Sequence, residues 1–159
     1  RALCQLPDVV LCLAGSGPAN DSLRRQVADL GLGGRVALPG WQADVAPLFA
    51  AADLFVCPSR IEPLGNVVIE AWAYKVPVVA ASAKGPEALI TDGENGLLFP
   101  IDDDDELAAA IKRVLKDGKL ASRLASAGYA EFEMRFSERI VVDQYLELFQ
   151  RLTMRKDTA

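Results

Sequence analysis

The chain has 159 residues, 51% hydrophobic and 25% charged, with a formal net charge of −5. That is one domain's worth of chain, apolar enough for a real core and too acidic for a general nucleic-acid surface. There is no histidine, so histidine general bases and histidine metal ligands are excluded within it. An anionic ligand has to be held by local geometry, not by the field of the whole molecule. Cys4, Cys12 and Cys57 are odd in number and widely spaced. They read as core thiols of a reducing compartment, not as a disulfide framework or a metal site. No apolar run approaches the roughly 20 residues that span a bilayer. Arg1-Ala2-Leu3 has neither an initiator Met nor a signal-peptide pattern. It reads as the end of a helix, and the chain as a fragment.

The continuous apolar run from Val9 to Ala14 predicts a strand buried on both faces. Gly15-Ser16-Gly17-Pro18 ends it. Asn20 or Asp21 is placed to cap a helix reaching about Leu30, with Leu23, Val27 and Leu30 on one face, and Gly31 stops it. Arg35 to Leu38 is a short strand closed by Pro39-Gly40. Asp44 is a plausible cap for a helix over Val45 to Ala52, and Asp53 to Cys57 is the next strand. A short helix then carries Glu70 and ends at Lys75-Val76-Pro77. Val76 to Ala81 is another buried strand. Gly85-Pro86-Glu87 starts a short helix, with Pro86 and Glu87 in the favoured first turn. After a turn at Asp92 to Gly96, Gly96 to Phe99 is the last strand. The rest, about residues 104–155, is helical in three pieces. The run Asp102 to Glu106 suits a helix N-terminus, where carboxylates complement the dipole, and lacks the spacing of a calcium loop. Five strands alternating with helices predict one α/β domain over residues 1–159, a parallel sheet with helices on both faces.

The chemistry concentrates between Ser59 and Ala73. Pro63 and Gly65 break the chain after a strand, so Glu62 lies in the loop and Glu70 about a turn inside the next helix. The N–H groups of Gly65, Asn66 and Val67 lie at the helix start and form a ready anion site. Open α/β sheets bind ligands at this carboxyl edge. Amides for a phosphate and carboxylates for hydroxyls suit a sugar joined to a phosphate. Glu70, in an otherwise apolar helix, is expected to be buried and to need a partner. Arg60 could neutralise phosphate or lie in solvent. Trp72 reads as core.

The segment Glu62-Pro63-Leu64-Gly65-Asn66-Val67-Val68-Ile69-Glu70, with seven residues between its glutamates, resembles the signature of the retaining, two-domain GT-B glycosyltransferases of family 4 (group 1). Other segments resemble the family in order: Ala14 to Pro18, Val36 to Trp41, Ala51 to Ser59, Val76 to Ala80 and Asp92 to Leu98. The resemblance implies the Rossmann-like C-terminal half of such an enzyme, with its first strand missing. It implies that Glu70 accepts from the ribose of a nucleoside diphosphate sugar and that Glu62, the nearest to a catalytic residue, meets a hydroxyl of the sugar. Donor binding would extend to the amides of Leu64, Gly65, Asn66 and Val67, to Gly15 and Arg60, and to Trp41 and Gln42 beside the base. It implies no cofactor and no essential metal. The N-terminal acceptor domain and a Gly-Arg…Lys segment that clamps the diphosphate would lie outside the chain. Membrane association, if any, would run through that domain at the cytoplasmic face. Alone, the chain is expected to bind donor weakly and transfer nothing. Lys75 stands where the family has Gly in a left-handed conformation, at a cost of roughly 1 kcal/mol. The alternatives are a non-catalytic sugar-nucleotide binding module or a sugar-nucleotide epimerase of the same architecture. A receiver domain fits poorly, since the strand ends carry Gly15, Pro39 and Pro58.

Overall fold

The structure, a computed structural model, describes residues 1–154. The expected end of the last helix at residue 155 lies outside them. Five strands form: β1 (Leu11–Ala14), β2 (Val36–Gly40), β3 (Phe55–Cys57), β4 (Val78–Ala81) and β5 (Leu97–Phe99). The helices are α1 (Asn20–Asp29), α2 (Ala46–Ala51), α3 (Asn66–Ala73), α4 (Lys84–Leu89), α5 (Asp104–Lys116), α6 (Gly118–Arg135) and α7 (Glu138–Met154), after a 3₁₀ turn over Ala2–Gln5. Every strand pair is parallel.

β4 shows why the fold has helices on both faces. All four of its residues are buried, and successive side chains of a strand alternate in direction. Val78 and Ala80 join a cluster with Phe49, Val68, Ala71, Trp72 and Ile90 from α2, α3 and the end of α4. Val79 and Ala81 join Leu97, Phe99, Val114, Leu120 and Leu124, toward α5 and α6. Burial of this kind is worth about 1.5–3 kcal/mol for each large side chain. Trp72, expected in the core, is fully buried, and its Nε1 donates to the Asn95 carbonyl at 3.0 Å. Helix α6 passes it so closely that Gly128 has no room for a side chain.

The sheet departs from expectation on its other side. β2 pairs with β1, and β3, β4 and β5 pair in that order, but β1 and β3 do not pair with each other. A groove of about 600 Å³ separates them, lined by residues that include Leu11, Leu13, Leu54, Val56, Leu107 and Ile111. The predicted burial of β1 on both faces is therefore not met: Leu11 and Leu13 are half-buried, while Cys12 and Ala14 are exposed. A strand is covered on both faces only when helices close over both, and α1 offers only the half-buried Val27, with Leu23 and, just past its end, Leu30 exposed. For the same reason the thiols divide. Cys57 is core, whereas Cys4 and Cys12 are exposed, which corrects their reading as core residues.

Local signals set most element ends. Asp103 accepts from the N–H groups of Asp105 and Glu106, and Asp117 from those of Lys119 and Leu120. Each satisfies amides that a helix start leaves open. Asp44 accepts from Ala46 at the start of α2. Asn20 and Asp21 do not cap α1; they fall inside it, and no side chain caps that helix. Lys75 holds φ +58, the left-handed turn expected there. Its N–H and that of Val76 return to Trp72 and Ala71, closing the end of α3. The Lys75 ammonium sits 4.3 Å from the centre of the Tyr129 ring. The Tyr129 phenol is pushed above its ordinary pKa, first by its hydrogen bond to Glu133 one turn on and then by that carboxylate's charge. No helix among the described residues is long and apolar enough to cross a membrane.

Candidate functional site

Parallel strands deliver their following loops to one edge, and the sequence candidates gather there. Gly15 (φ +133) follows β1 and donates its N–H to the carbonyl of Gly40, the last residue of β2, at 2.7 Å. Trp41 comes next and is 69% exposed, a large aromatic that nothing among the described residues covers. Gln42 is half-buried and donates through Nε2 to the Pro39 carbonyl at 3.2 Å. The loop after β3 carries Arg60, Glu62 and Leu64 into Gly65 and α3. Leu13 and Pro58, near the carboxyl ends of β1 and β3, both line the groove between the strands. The two groups of loops thus flank its mouth.

Gly65 caps α3 in a left-handed conformation (φ +76), and its carbonyl accepts from the N–H groups of Val68 and Ile69. The N–H groups of Asn66 and Val67 meet no acceptor among the described residues, which is the condition for anion binding at a helix start. The Gly65 N–H is different. The Glu62 carboxylate folds back and accepts from it through Oε1 at 3.1 Å. The expected cradle of three open amides is therefore two, with Glu62 seated on the third. That hydrogen bond orients the carboxylate at the helix start, where the dipole favours negative charge.

Glu70 is exposed and forms no salt bridge among the described residues. This corrects the expectation of a buried carboxylate. Helix α3 turns Val68, Ala71 and Trp72 inward, so a residue between them points out. Glu70 is four positions on from Asn66, which places both on one face. Glu70 therefore lies beneath the open amides, and its case as a ligand group rests on that shared face. Leu64 and Ile61 are exposed at 68% and 86%, unusual for apolar side chains in a loop. Arg60 is exposed and pairs with Asp102 in the loop after β5, so its guanidinium is turned toward that loop and not toward the start of α3. Within the acidic run Asp103 caps α5, Asp102 holds Arg60 and Asp105 accepts from Gln5, and no cluster of three or more His, Cys, Asp or Glu among the described residues could hold a metal.

Sequence reasoning missed Gly85, which it took only as a helix start. Its N–H donates to the Glu62 carbonyl at 2.7 Å. A Cβ at this position would lie 2.7 Å from the Gly65 nitrogen and 2.8 Å from the Leu64 carbonyl carbon, and nearer still to the Glu62 oxygen. The available signal was a glycine directly before the buried Pro86, at a strand-to-helix junction beside the candidate loop.

A family model described as glycosyl transferases group 1 matches residues 1–131. The lipopolysaccharide core biosynthesis glycosyltransferase LpsE of Rhizobium meliloti is 44% identical over 93% of this chain and 44% of its own length. The crystal structure of Anabaena HepE in complex with UDP and glucose superposes with a TM-score of 0.87 at 34% identity, over 94% of this chain and 43% of that one. The C-terminal domain of a glycosyl transferase group 1 protein (LpcC) from Francisella tularensis, solved by itself, aligns at a TM-score of 0.75 and 27% identity, over 86% of this chain and 74% of that one. The chain spans less than half the length of LpsE and of the other curated lipopolysaccharide core glycosyltransferase of the same organism, LpsD.

Proposed function

The chain belongs to the group 1 glycosyl transferases, and from that premise we propose that it is the donor-binding half of a retaining GT-B enzyme. That enzyme would move a hexose-like sugar from a nucleoside diphosphate to a glycan or glycolipid acceptor. The observation that carries this is the start of α3: two open amides, Asn66 and Val67, with the Glu62 carboxylate beside them and Glu70 one turn below. The amides and the helix dipole take the diphosphate. Glu70 accepts from the ribose hydroxyls. Glu62 has one oxygen on the Gly65 N–H and presents the other to a hydroxyl of the sugar. Trp41 and Gln42, beside Gly15, flank the base. The complex of HepE with UDP and glucose supports this class of ligand.

The two glutamates do not act as a glycosidase pair, which protonates a glycosidic oxygen and attacks or activates water. They position the donor, while charge on the departing diphosphate is met by amides and cations aimed at it. No metal is required in this scheme. The clamping cations, the acceptor site and the first strand belong to polypeptide outside these residues, and the groove between β1 and β3 is the place for that strand. The whole enzyme would work in the cytoplasm, against the membrane where its acceptor is a glycolipid. These 159 residues alone would bind donor weakly and transfer nothing.

The test is calorimetric titration of UDP and GDP sugars into the full-length protein and its Glu70→Ala variant. Hydrogen bonds to a charged group are worth about 1.5–3 kcal/mol, so affinity for the preferred donor should fall at least about tenfold. Glu70 is exposed, so stability should hold within about 0.5 kcal/mol. Equal donor affinity in both proteins overturns the ribose role. Release of free nucleotide and an isomerised sugar without any acceptor would assign an epimerase instead.

A further inference from the structure

We propose that Gly85 is a positioning residue for Glu62, acting from α4 across the carboxyl edge; this deepens the donor-site reading and rests on it. Glu62 is held at two points. Its carboxylate accepts from the Gly65 N–H at 3.1 Å, and its carbonyl accepts from the Gly85 N–H at 2.7 Å. The first bond lies within the loop and cannot by itself fix where the loop stands. The second ties the loop to a helix seated on the core: Pro86 is fully buried, and Ile90 belongs to the cluster around Trp72.

The tie depends on the absence of a side chain. A Cβ on Gly85 would stand 2.7 Å from the Gly65 nitrogen and 2.8 Å from the Leu64 carbonyl carbon, and against the Glu62 oxygen. All three are backbone atoms, so no rotamer change relieves the contact. No positive φ is involved at this glycine, so the demand is space and not backbone conformation. On the far side, Leu89 of α4 packs where a Cβ of Gly65 would be, its Cδ1 2.8 Å from that point. Gly85 and Leu89 together clamp Glu62, Leu64 and Gly65 against α4. Contacts this far inside van der Waals range displace the loop by roughly 1 Å, which would re-aim the carboxylate relative to the open amides of Asn66 and Val67. Reaction geometry is sensitive to errors of that size.

The experiment is a double-mutant cycle on kcat/KM in the full-length enzyme, using Gly85→Ala with Glu62→Ala, and hydrogen exchange at the Gly65 amide as a readout independent of activity. Gly85→Ala should lower kcat/KM at least tenfold and speed Gly65 exchange. In the Glu62→Ala background the same change should cost less than threefold, because the group it aims is gone. Gly118→Ala, where a Cβ meets nothing within 4 Å at the start of α6, should leave both readouts unchanged. Should Gly85→Ala fail to fold, Leu89→Ala loosens the clamp by removing volume, and its effect should show the same dependence on Glu62. Equal losses in both backgrounds, or unchanged Gly65 exchange in the folded variant, overturn the proposal. Wild-type enzyme that binds no nucleotide sugar refutes the donor reading instead and is seen before the cycle begins.

Discussion

Replacing Gly128 by alanine sets two effects of opposite sign against each other. Glycine inside a helix costs about 0.5–1 kcal/mol relative to alanine, and Gly128 lies well inside α6, so propensity alone makes the change stabilising. Packing opposes it. The new Cβ would stand 2.5 Å from Trp72 Nε1 and 2.9 Å from Cγ, and closer again to Cδ1. Trp72 is fully buried, so the ring cannot swing into solvent. Overpacking of this kind costs about 1–3 kcal/mol. A displaced ring also strains its hydrogen bond to the Asn95 carbonyl, a net contribution of about 0.5–1.5 kcal/mol. Packing therefore wins, with a net loss of about 2 kcal/mol. For a domain of this size that lowers Tm by about 4–8 °C. Thermal and urea unfolding, followed by far-UV circular dichroism, read it directly. Trp72→Ala removes the Cγ, Cδ1 and Nε1 atoms that the new Cβ would meet, so adding Gly128→Ala to that background should cost clearly less than in wild type. A Tm equal to or above wild type for Gly128→Ala would refute the close approach of α6 to α3.

The strained end of α3 makes a second case. Lys75→Gly removes left-handed strain of about 1 kcal/mol but also the ammonium over Tyr129, worth about 0.5–1 kcal/mol at an exposed site. The two nearly cancel in wild type, whereas in a Tyr129→Leu background the substitution should stabilise by about 1 kcal/mol in urea melts. Identical effects in both backgrounds would show that the cation over the ring contributes nothing. The raised Tyr129 pKa gives a third. Because the folded value lies above the unfolded one, Glu133 favours the protonated phenol, and that contribution fades as pH rises through the folded pKa, above 10. Glu133→Gln should shift the Tyr129 phenolate absorbance step to lower pH; an unmoved step would assign the shift elsewhere.

Much of this protein was legible in its sequence because the signals are local. Gly15, Gly65 and Lys75 adopt the positive φ that their turns require. The acidic run read as a helix start lies at the N-terminus of α5, with Asp103 as its cap. The apolar run at β4 is buried throughout. The order of strands and helices and the motif spanning Glu62 to Glu70 depend on neighbours a few residues apart, and they led to the right family.

What tertiary structure decided depends on partners far along the chain. Cys12 sits in as apolar a run as Cys57, yet only Cys57 is covered. Coverage depends on whether a neighbouring strand and helix close over the residue, and β1 has an open groove beside it. Glu70 looked buried from the apolar residues around it, but the helix phase against β3 and β4 turns it outward. Arg60 was free to meet a phosphate until the loop after β5 placed Asp102 beside it. Gly128 carries no local signal that separates it from other glycines, and Gly85 only its place directly before Pro86. Their meaning is the distance to Glu62 and to Trp72, 23 and 56 positions away in the chain, and only the packed molecule sets that distance.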